Sequence, residues 1–358
     1  MRKIDLNNTE KIPCIEIENI KETNERDFFN NISLNLHELI SKKLIDYYNI
    51  VRRSRYGIGG NLPSEFTYEY NKICRDWQRK VITVGINNDL VIVVMKRVQM
   101  FKYIYNRMEG LPISISRNRN NELKVLLELF KSGTIYKIGG LEIETENLNK
   151  YGFELSGQLN TYNFYSHIPS NYEKISKNKW MTKKGIHRML KMENLTWEIL
   201  KNYSEKVDVI SDGFDKWKIE AEGEVMGKRL TKAIRKYEFW KDPNVIYYMF
   251  SYKNIPVGFC VYLISNNICY QLVNKSIGHA KYDQEFDILN KQEELELDEL
   301  KRRVNTLIHY ITIKDLNERG FEHSYFGGSF RKKSLAVYKG IMNDEIIGHH
   351  IYKLKEMN

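Results

Sequence analysis

VIYYMFSY (residues 245–252), VGFCVYLI (257–264) and ICYQLVNK (268–275) follow one another along the chain with only short breaks between them. Each run is rich in β-branched and aromatic residues and has the length of a strand. The breaks contain Lys253-Asn254 and Ser265-Asn266-Asn267, which are signals for tight turns. This stretch therefore predicts three successive antiparallel strands.

Downstream of this stretch, the pattern alternates between helix and strand. LKRRVNTLIHYITIKDLNERGF (300–321) has amphipathic helical spacing, and Gly320 closes it as a C-terminal cap. It is preceded by an acidic segment of loop and helix at 283–299 and followed by a strand, a helix and a last strand: HSYFGG (323–328), RKKSLAVYKGIM (331–342) and IGHHIYKL (347–354). The C-terminal half therefore ends in the order helix, strand, helix, strand.

Upstream, LTWEIL (195–200) predicts a strand, and two helical patterns follow it at 203–221 and 225–240. The N-terminal half has its own strands and helices. Its strands include VITVGI (81–86), LVIVVM (90–95) and FKYIY (101–105), its clearest helix covers 122–131, and the glycine-containing segment 51–65 predicts a loop. Strands in succession with helices between them predict an α+β fold rather than a regular βαβ repeat.

The order of elements from 195 to 354 resembles the GNAT superfamily of N-acyltransferases. The string SYKNIPVGFCVYL (251–263) resembles the hairpin of these enzymes, and LNERGFEHSYFGGSFRKKSLAVYKGIM (316–342) resembles the end of FemABX-type aminoacyltransferases. YEKISKNKWMTKKGIHRMLK (172–191) resembles the junction of phosphatidylglycerol lysyltransferase-like proteins, which carry two GNAT units in tandem. We therefore expect an extension with a helix at 1–50, a degenerate GNAT-like or α+β domain at 51–192 and a GNAT-like acyltransferase domain at 193–358.

The resemblance implies a site between two strands that diverge, here ICYQLVNKSIG and HSYFGGS. Backbone N–H groups near Asn274 and Lys275 would polarise the donor carbonyl, as in an oxyanion hole. The candidates for proton handling are His279, Tyr282, Asp283 and Tyr325. The turn after the second strand predicts a phosphate site, because a helix N-terminus and basic side chains come together there; its members are Gly327, Gly328, Ser329, Arg331 and Lys333. The simpler alternatives are that His279 is a surface histidine, that Tyr325 packs in the sheet and that Ser329 caps a helix.

The segment where GNAT enzymes bind pyrophosphate departs from their pattern. The acetyl-CoA-dependent members use a glycine-containing turn before the third helix, whereas this chain has EELELDEL (293–300). An acidic run repels a pyrophosphate, so either the donor is not CoA, as in the aminoacyl-tRNA users of the FemABX type, or the fold has been reused. The resemblance as a whole implies an acyl-CoA or an aminoacyl-tRNA as donor. The alternative function is a GNAT-like protein that binds nucleic acid or a partner without catalysing transfer.

The formal net charge of +10 favours a polyanionic partner such as tRNA or DNA. Basic residues are dense at 172–191, where the only acidic residue, Glu173, precedes them all. Those that we expect to contact nucleic acid are Lys177, Lys179, Lys183, Lys184 and Arg188. The alternative is a solvated lysine-rich face. The expected reaction is transfer of an acyl or aminoacyl group to an amine, and an amine on a nucleic acid base, as in phage-type DNA modification, is one acceptor that fits this composition.

Other sequence features limit the location and the chemistry. The four cysteines are scattered without metal-type spacing, which favours free thiols in a reducing compartment. No apolar leader and no run of about 18 apolar residues is present, so we expect a cytoplasmic protein. The sequence contains no HExxH, GxSxG or kinase motif set, which disfavours metal-dependent hydrolysis and phosphoryl transfer, and we expect no metal cofactor.

Overall fold

A computed structural model describes residues 34–57, 67, 69–70, 79–100, 103–156, 161–201, 242–276, 289–330 and 345–355. Contacts divide the chain into two units. Unit 1 comprises residues 1–68, 77–161 and 347–358, and unit 2 comprises residues 69–76 and 162–346. Each unit therefore combines segments that are far apart in sequence, and the C-terminal residues of the chain belong to unit 1.

Unit 1 is a mixed sheet with helices on both faces. Its elements are α1 (Leu34–Tyr56), β1 (Arg79–Ile86), β2 (Asp89–Met100), β3 (Tyr103–Glu109), β4 (Ile113–Ser114), α2 (Arg119–Lys131), β5 (Lys137–Leu141), α3 (Thr145–Lys150), β6 (Phe153–Leu155) and, from the end of the chain, β13 (Glu345–Leu354). The strand order is β1-β2-β3-β5-β13, with β4 on β2 and β6 on β13. All neighbours are antiparallel except β3 and β5, which run parallel.

The apolar run of β2 reflects burial on both faces of this sheet. Val91 and Val93 lie in a core with Val125 and Leu129 of α2, whereas Ile92 and its neighbours pack against α1. Successive residues of a strand point to opposite faces, so a strand covered by two helices needs apolar residues at every position. Asn87 and Asn88, with φ of 49° and 60°, make the tight turn that joins β1 to β2.

Unit 2 repeats the layout of unit 1. Its elements are β7 (Thr161–His167), α4 (Ile168–Ser176), α5 (Asn178–Lys183), α6 (Ile186–Met189), β8 (Leu195–Leu200), β9 (Val245–Tyr252), β10 (Ile255–Ser265), β11 (Ile268–Ser276), α7 (Lys291–Glu318) and β12 (His323–Phe330). The strand order is β8-β9-β10-β11-β12-β7. Strands β8 to β11 are antiparallel neighbours, and β12 runs parallel to β11.

Both units therefore contain three antiparallel strands, a helix and a fourth strand parallel to the third. In unit 1 these are β1, β2, β3, α2 and β5, and in unit 2 they are β9, β10, β11, α7 and β12. This layout, twice in one chain, confirms the α+β, GNAT-like architecture predicted from the sequence. The strand that follows each repeat in space is distant from it in sequence: β13 lies beside β5, and β7 lies beside β12.

The tight turns of unit 2 were predicted correctly. Lys253 and Asn254 have φ of 50° and 66°, and Asn266 and Asn267 have φ of 52° and 61°. Two consecutive positive φ values match the right-handed twist of paired strands, and asparagine tolerates them better than most residues. The sequence therefore predicted the positions of the two turns that join β9, β10 and β11 through local turn chemistry.

Several predicted boundaries are corrected by the structure. Residues 51–56 continue α1 instead of forming a loop, because Val51 packs in the core and Arg55 pairs with Glu122. The acidic segment is helical from Lys291, since Asn290 caps α7 there. Residues 327–330 continue β12 instead of turning. The helices predicted at 203–221, 225–240 and 331–342 lie outside the described residues.

Helix α7 is the long helix of unit 2 and packs on its sheet. Tyr248 donates a hydrogen bond to Asp315 at 2.5 Å, and Tyr252 donates one to Glu296 at 2.7 Å. α4 and α6 pack against the same helix. Of the helices described in either unit, none has both the length and the apolar character needed to cross a bilayer.

Two of the four cysteines lie in the sheet of unit 2. Cys260 of β10 and Cys269 of β11 are buried free thiols, as predicted. Burial raises the pKa of both thiols, so neither is a thiolate at neutral pH. Cys14 and Cys74 lie outside the described residues.

Candidate active site

The parallel pair β11 and β12 separates partway along its length. The paired residues are Ile268 with His323, Cys269 with Ser324 and Tyr270 with Tyr325. Beyond Tyr270, β11 runs on to Ser276 and pairs only with β10 among the described strands, and β12 runs on to Phe330. The two strands therefore diverge at the point that the resemblance predicted.

A bulge in β11 coincides with this separation. Val261 of β10 pairs with Val273, whereas the next residue, Tyr262, pairs with Gln271. Leu272 is thus the extra residue of β11, two positions after the last pair with β12. A bulge bends its strand and raises the local twist, which turns the end of β11 away from its parallel neighbour.

The divergence leaves a backbone edge on β11 that has no strand partner among the described residues. From Gln271 to Ser276, alternate residues direct their N–H and C=O groups toward the side that β12 has left. Asn274 and Lys275, the predicted carbonyl-binding residues, lie on this edge. Buried backbone groups require hydrogen-bond partners, so an edge of this kind is suited to a ligand carbonyl.

Tyr325 lies at the base of the divergence, and its ring is buried. The ring contacts those of Tyr165 and Tyr270 at centroid distances of 5.0 and 5.5 Å. Its hydroxyl donates a hydrogen bond to Oδ1 of Asn163 at 3.1 Å. The packing role that the sequence allowed for this residue is therefore present, and the hydroxyl already has a partner on β7.

The other predicted site residues divide into two groups. The backbone of Gly327, Gly328 and Ser329 lies in the diverging part of β12. The remaining candidates, His279, Tyr282, Asp283, Arg331 and Lys333, lie outside the described residues. His279 to Asp283 follow β11 directly in sequence, and Arg331 and Lys333 follow β12 directly.

The N-terminus of α7 is occupied by its own side chains. Oδ1 of Asn290 accepts hydrogen bonds from the N–H groups of Gln292 and Glu293 at 3.0 Å each, and the carboxylate of Glu293 accepts the N–H of Asn290 at 2.9 Å. Lys253 forms an ion pair with Glu293. The charged hydrogen bond from Lys253 and the backbone N–H of Asn290 hold the pKa of the Glu293 carboxyl below its usual value. This helix end therefore binds a carboxylate of the chain itself where related folds would bind pyrophosphate.

In unit 1, the equivalent position is filled by side chains. β3 ends at Glu109 soon after it meets β5, and Tyr48 donates its hydroxyl to the carbonyl oxygens of Glu109 and Leu111 at 3.0 and 2.8 Å. A Cβ at Gly110 would come within 2.6 Å of the Tyr48 hydroxyl and 2.7 Å of Arg52. Since α1 closes this position, unit 2 carries the open divergence.

The predicted basic residues lie on the short helices of unit 2. Lys177, Lys179, Lys183 and Arg188 are exposed, and Lys184 is half-buried. Arg302 and Arg303 of α7 join them around Glu299: Arg188 and Arg303 each lie 3.1 Å from its carboxylate, and Arg302 lies 3.6 Å from it. We call these seven residues the basic surface. The sequence did not indicate the contribution of α7, because its arginines are distant from the others along the chain.

One further polar residue near the divergence was missed from the sequence. His309 of α7 is buried, and its ring lies 5.1 Å from that of Phe326 on β12. Burial lowers the pKa of His309 to about 4, so its imidazole is uncharged at neutral pH. In the sequence it stands within the apolar face of a helix, where nothing distinguishes a site residue from a core residue.

At the level of sequence, no family model and no curated protein matches the chain. Among solved structures, it is similar to a conserved protein of unknown function from Bacteroides thetaiotaomicron, with 12% identity and a TM-score of 0.57 over 88% of this chain and 97% of that one. A domain of a protein described as a lysylphosphatidylglycerol synthetase from Agrobacterium fabrum gives 8% identity and a TM-score of 0.49 over 87% and 92%. L-PGS from Bacillus licheniformis gives 10% and 0.48 over 78% and 85%.

At these identities the similarity concerns the fold alone. The similarity to the first of these structures covers 88% of this chain, so the likeness in fold extends into both units. The strand order and the diverging parallel pair define the class as a GNAT-like fold with two units. The reaction and the substrates must be argued from the residues of this chain.

Proposed function

We propose that unit 2 transfers an acyl or aminoacyl group to an amine at the divergence of β11 and β12. The observation that carries the proposal is the end of parallel pairing at Tyr270 and Tyr325 while both strands continue. The donor carbonyl would lie between the strands and accept hydrogen bonds from the backbone edge at Asn274 and Lys275. The unpaired edge would then serve as a preformed oxyanion site.

In this reaction the lone pair of the amine nitrogen attacks the carbonyl carbon, and a C–N bond forms. The C–O or C–S bond to the carrier breaks, and the carrier leaves with the electron pair. The nitrogen loses one proton and the leaving group gains one. His279, Tyr282 and Asp283, which follow β11 in sequence, are the proposed groups for this proton transfer, and the Tyr325 hydroxyl at the base is the fourth.

The proposed donor is an aminoacyl ester on RNA rather than a CoA thioester. The N-terminus of α7 is capped by Asn290 and Glu293, so its N–H groups are engaged and its first turn is acidic. A pyrophosphate placed there would meet like charge. Arg331 and Lys333, with the backbone of Gly327 to Ser329, are the proposed phosphate-binding residues at the end of β12.

The transfer is tested by changing the bulge. Deleting Leu272 should restore regular pairing of β10 and β11, straighten the end of β11 and close the divergence. We expect the purified wild-type protein to form a complex with an aminoacyl-tRNA mixture in native mass spectrometry and to release uncharged tRNA when a primary amine is added. The deletion variant should bind the donor at least about tenfold more weakly.

The control for this deletion is Leu272→Val, which keeps the extra residue and should behave as the wild type. Both variants must have melting temperatures within a few degrees of the wild type, so that a loss of donor binding cannot be attributed to a loss of folded structure. Equal transfer by the deletion variant would contradict the proposal. Bare RNA in the wild-type complex, without turnover, would favour the alternative of a GNAT-like binding protein.

The basic surface is the proposed contact for the polyanionic partner, tRNA or DNA. Lys177, Lys179, Lys183, Arg188 and Arg302 are exposed, and Arg303 is half-buried. They lie on or directly before three helices of unit 2, α5, α6 and α7, and the three arginines share the carboxylate of Glu299. Contacts to phosphates release counterions, so binding weakens steeply as salt rises. We therefore expect binding that weakens with salt. The slope of log K against log salt then gives the number of phosphate contacts.

Removing two charges from the basic surface should lower that salt dependence. For Lys179→Gln with Lys183→Gln, we expect the slope of log K against log salt for tRNA to fall by about 1.4–1.8, the effect of two phosphate contacts. The matched control is Lys124→Gln with Lys131→Gln on α2 of unit 1, where both lysines are exposed. The measurement is fluorescence anisotropy across a salt series. An equal change in both double variants would show that only net charge matters.

A further inference from the structure

Besides Oγ of Ser324 on β12, two buried polar atoms near the divergence have no hydrogen-bond partner among the described residues. They are Nε2 of His309 on α7 and Oδ1 of Asn274 on β11. In a protein interior, polar atoms normally have hydrogen-bond partners, because a buried atom without one has lost its hydrogen bond to water and gained none in return. Two of them in one region require a physical explanation.

The register of the strands places Asn274 on the face of the unit 2 sheet that α7, the helix of His309, covers. Asn274 pairs directly with Cys260, and Gln271 pairs with Tyr262, two residues further along β10. Since Tyr262 lies 3.3 Å from Thr312 of α7, this face of the sheet is the one that α7 covers. Asn274 shares the face, because alternate residues of β10 and their direct partners point the same way.

His309 precedes Thr312 by three residues, which is close to one helical turn. Its ring contacts Phe326, the first residue of β12 beyond the last pair with β11. His309 therefore lies under the opening of the divergence, with Asn274 on one strand and Phe326 on the other. The side chains known to surround this point are uncharged: Cys260, Tyr262, Thr312 and Phe326.

We infer that Asn274 and His309 form a binding subsite for the nitrogen of an uncharged primary amine. Oδ1 of Asn274 can only accept a hydrogen bond, so its ligand must donate one. The neutral imidazole, held uncharged by burial, can accept a second N–H. A carboxylate or phosphate would bring no donor to Oδ1. Among the described residues an ammonium ion would find no unengaged countercharge there, since Asp315, one turn beyond Thr312, is held by Tyr248 and Arg319.

This inference deepens the proposed function and rests on it for the role of the amine as the acceptor. A subsite without charge disfavours the ammonium form of the ligand, since desolvation penalises the charged state. It therefore selects the free base, which is the nucleophilic form. Binding itself is independent of any donor and can be measured without one.

The experiment observes the imidazole nitrogens of His309 by NMR in ¹⁵N-histidine-labelled protein. The probe is n-butylamine near pH 10, where a substantial share of an alkylamine is the free base. We expect its addition to shift the His309 Nε2 resonance. N,N-dimethylbutylamine, whose free base has no N–H, should leave the resonance in place.

Variants assign the effect to the two residues. Asn274→Leu should weaken n-butylamine binding by about tenfold, the loss of one hydrogen bond. Gln271→Leu is the matched control, because Gln271 shares the face but already donates to Cys260 and Tyr262, and it should bind as the wild type does. His309→Phe removes the observed nitrogen, so its binding is measured from the ligand signals of n-butylamine by NMR. This variant should abolish binding without lowering the melting temperature, since it removes a buried polar atom that has no partner among the described residues.

An unchanged His309 resonance in n-butylamine, or an equal shift in the tertiary amine, would overturn the inference. A melting temperature lowered by several degrees in His309→Phe, with amine binding intact, would assign a structural role instead. A shift with leucine methyl ester alone would assign the subsite to an aminoacyl donor. If n-butylamine binds but is never acylated, the subsite is supported and the proposed function is contradicted. If transfer proceeds at the wild-type rate in Asn274→Leu and His309→Phe, the proposed function is supported and the subsite is contradicted.

Discussion

A chain that ends at residue 344 is expected to leave unit 1 without its folded core. β13 lies between β5 and β6 and pairs with both, from His349 opposite Leu141 to Leu354 opposite Phe153. Tyr352 is fully buried in the main core of unit 1. The lost strand takes with it backbone hydrogen bonds on two sides and a large buried ring, a loss comparable to the whole stability of a domain, about 5–15 kcal/mol.

Hydrogen exchange followed by mass spectrometry measures this loss within each unit. We expect amides of β5 and β6 in the shortened chain to exchange at rates close to those of an unfolded chain. A chain that lacks only residues 356–358 is the matched control and should keep the wild-type protection. Full protection of β5 in the chain that ends at 344 would contradict the assignment of β13 to the core of unit 1.

The elements that local chemistry determines could be predicted from the sequence. LTWEIL and VIYYMFSY match β8 and β9 residue for residue. The positive φ values at Asn254 and Asn266 explain why the hairpins were found, since asparagine in a two-residue turn is a local signal. Buried strands that are apolar at every position are equally clear, because a helix on each face leaves no polar side.

Elements that depend on distant residues could not be predicted. Residues 51–56 contain three arginines and resemble a loop, yet they are helical because Arg52 and Arg55 reach Glu144 and Glu122, more than 60 positions away. The positions of β13 beside β5 and of β7 beside β12 could not be predicted for the same reason. A sequence pattern indicates that a strand forms, but the strand's neighbours depend on the whole fold. The resemblance to tandem GNAT proteins indicated the repeat but not these strand neighbours.

For the site, the sequence predicted the diverging strands and the edge at Asn274 through the resemblance. It did not predict the bulge at Leu272, because the apolar run that contains it is uninterrupted. His309 was missed since its signal is that of a core residue. The closure of unit 1 by Tyr48 is likewise a contact over 61 positions, for which a single sequence offers no indication.

Replacing Arg52 by leucine should destabilise unit 1 by about 3–5 kcal/mol, the cost of leaving a buried charge without its partner. Arg52 and Glu144 have side chains only 4% and 0% exposed, and Nη2 lies 3.4 Å from Oε2. The same carboxylate oxygen accepts the N–H of Leu141 at 2.8 Å, which fixes Glu144 at the end of β5. The variant therefore leaves the buried carboxylate of Glu144 without its ion-pair partner, and this carboxylate cannot move to water. Urea unfolding measures the change.

The double variant Arg52→Leu with Glu144→Gln separates charge from packing. Glutamine keeps an oxygen for the N–H of Leu141 but carries no charge, so the double variant should recover at least about half of the lost stability. Arg53→Leu, on the same turn of α1 but less buried, is the matched control and should change the stability by less than about 1 kcal/mol. If the double variant is no more stable than Arg52→Leu alone, the loss comes from the packing of the arginine against Gly110 and Tyr48. The charge pair would then not be the reason that α1 closes unit 1.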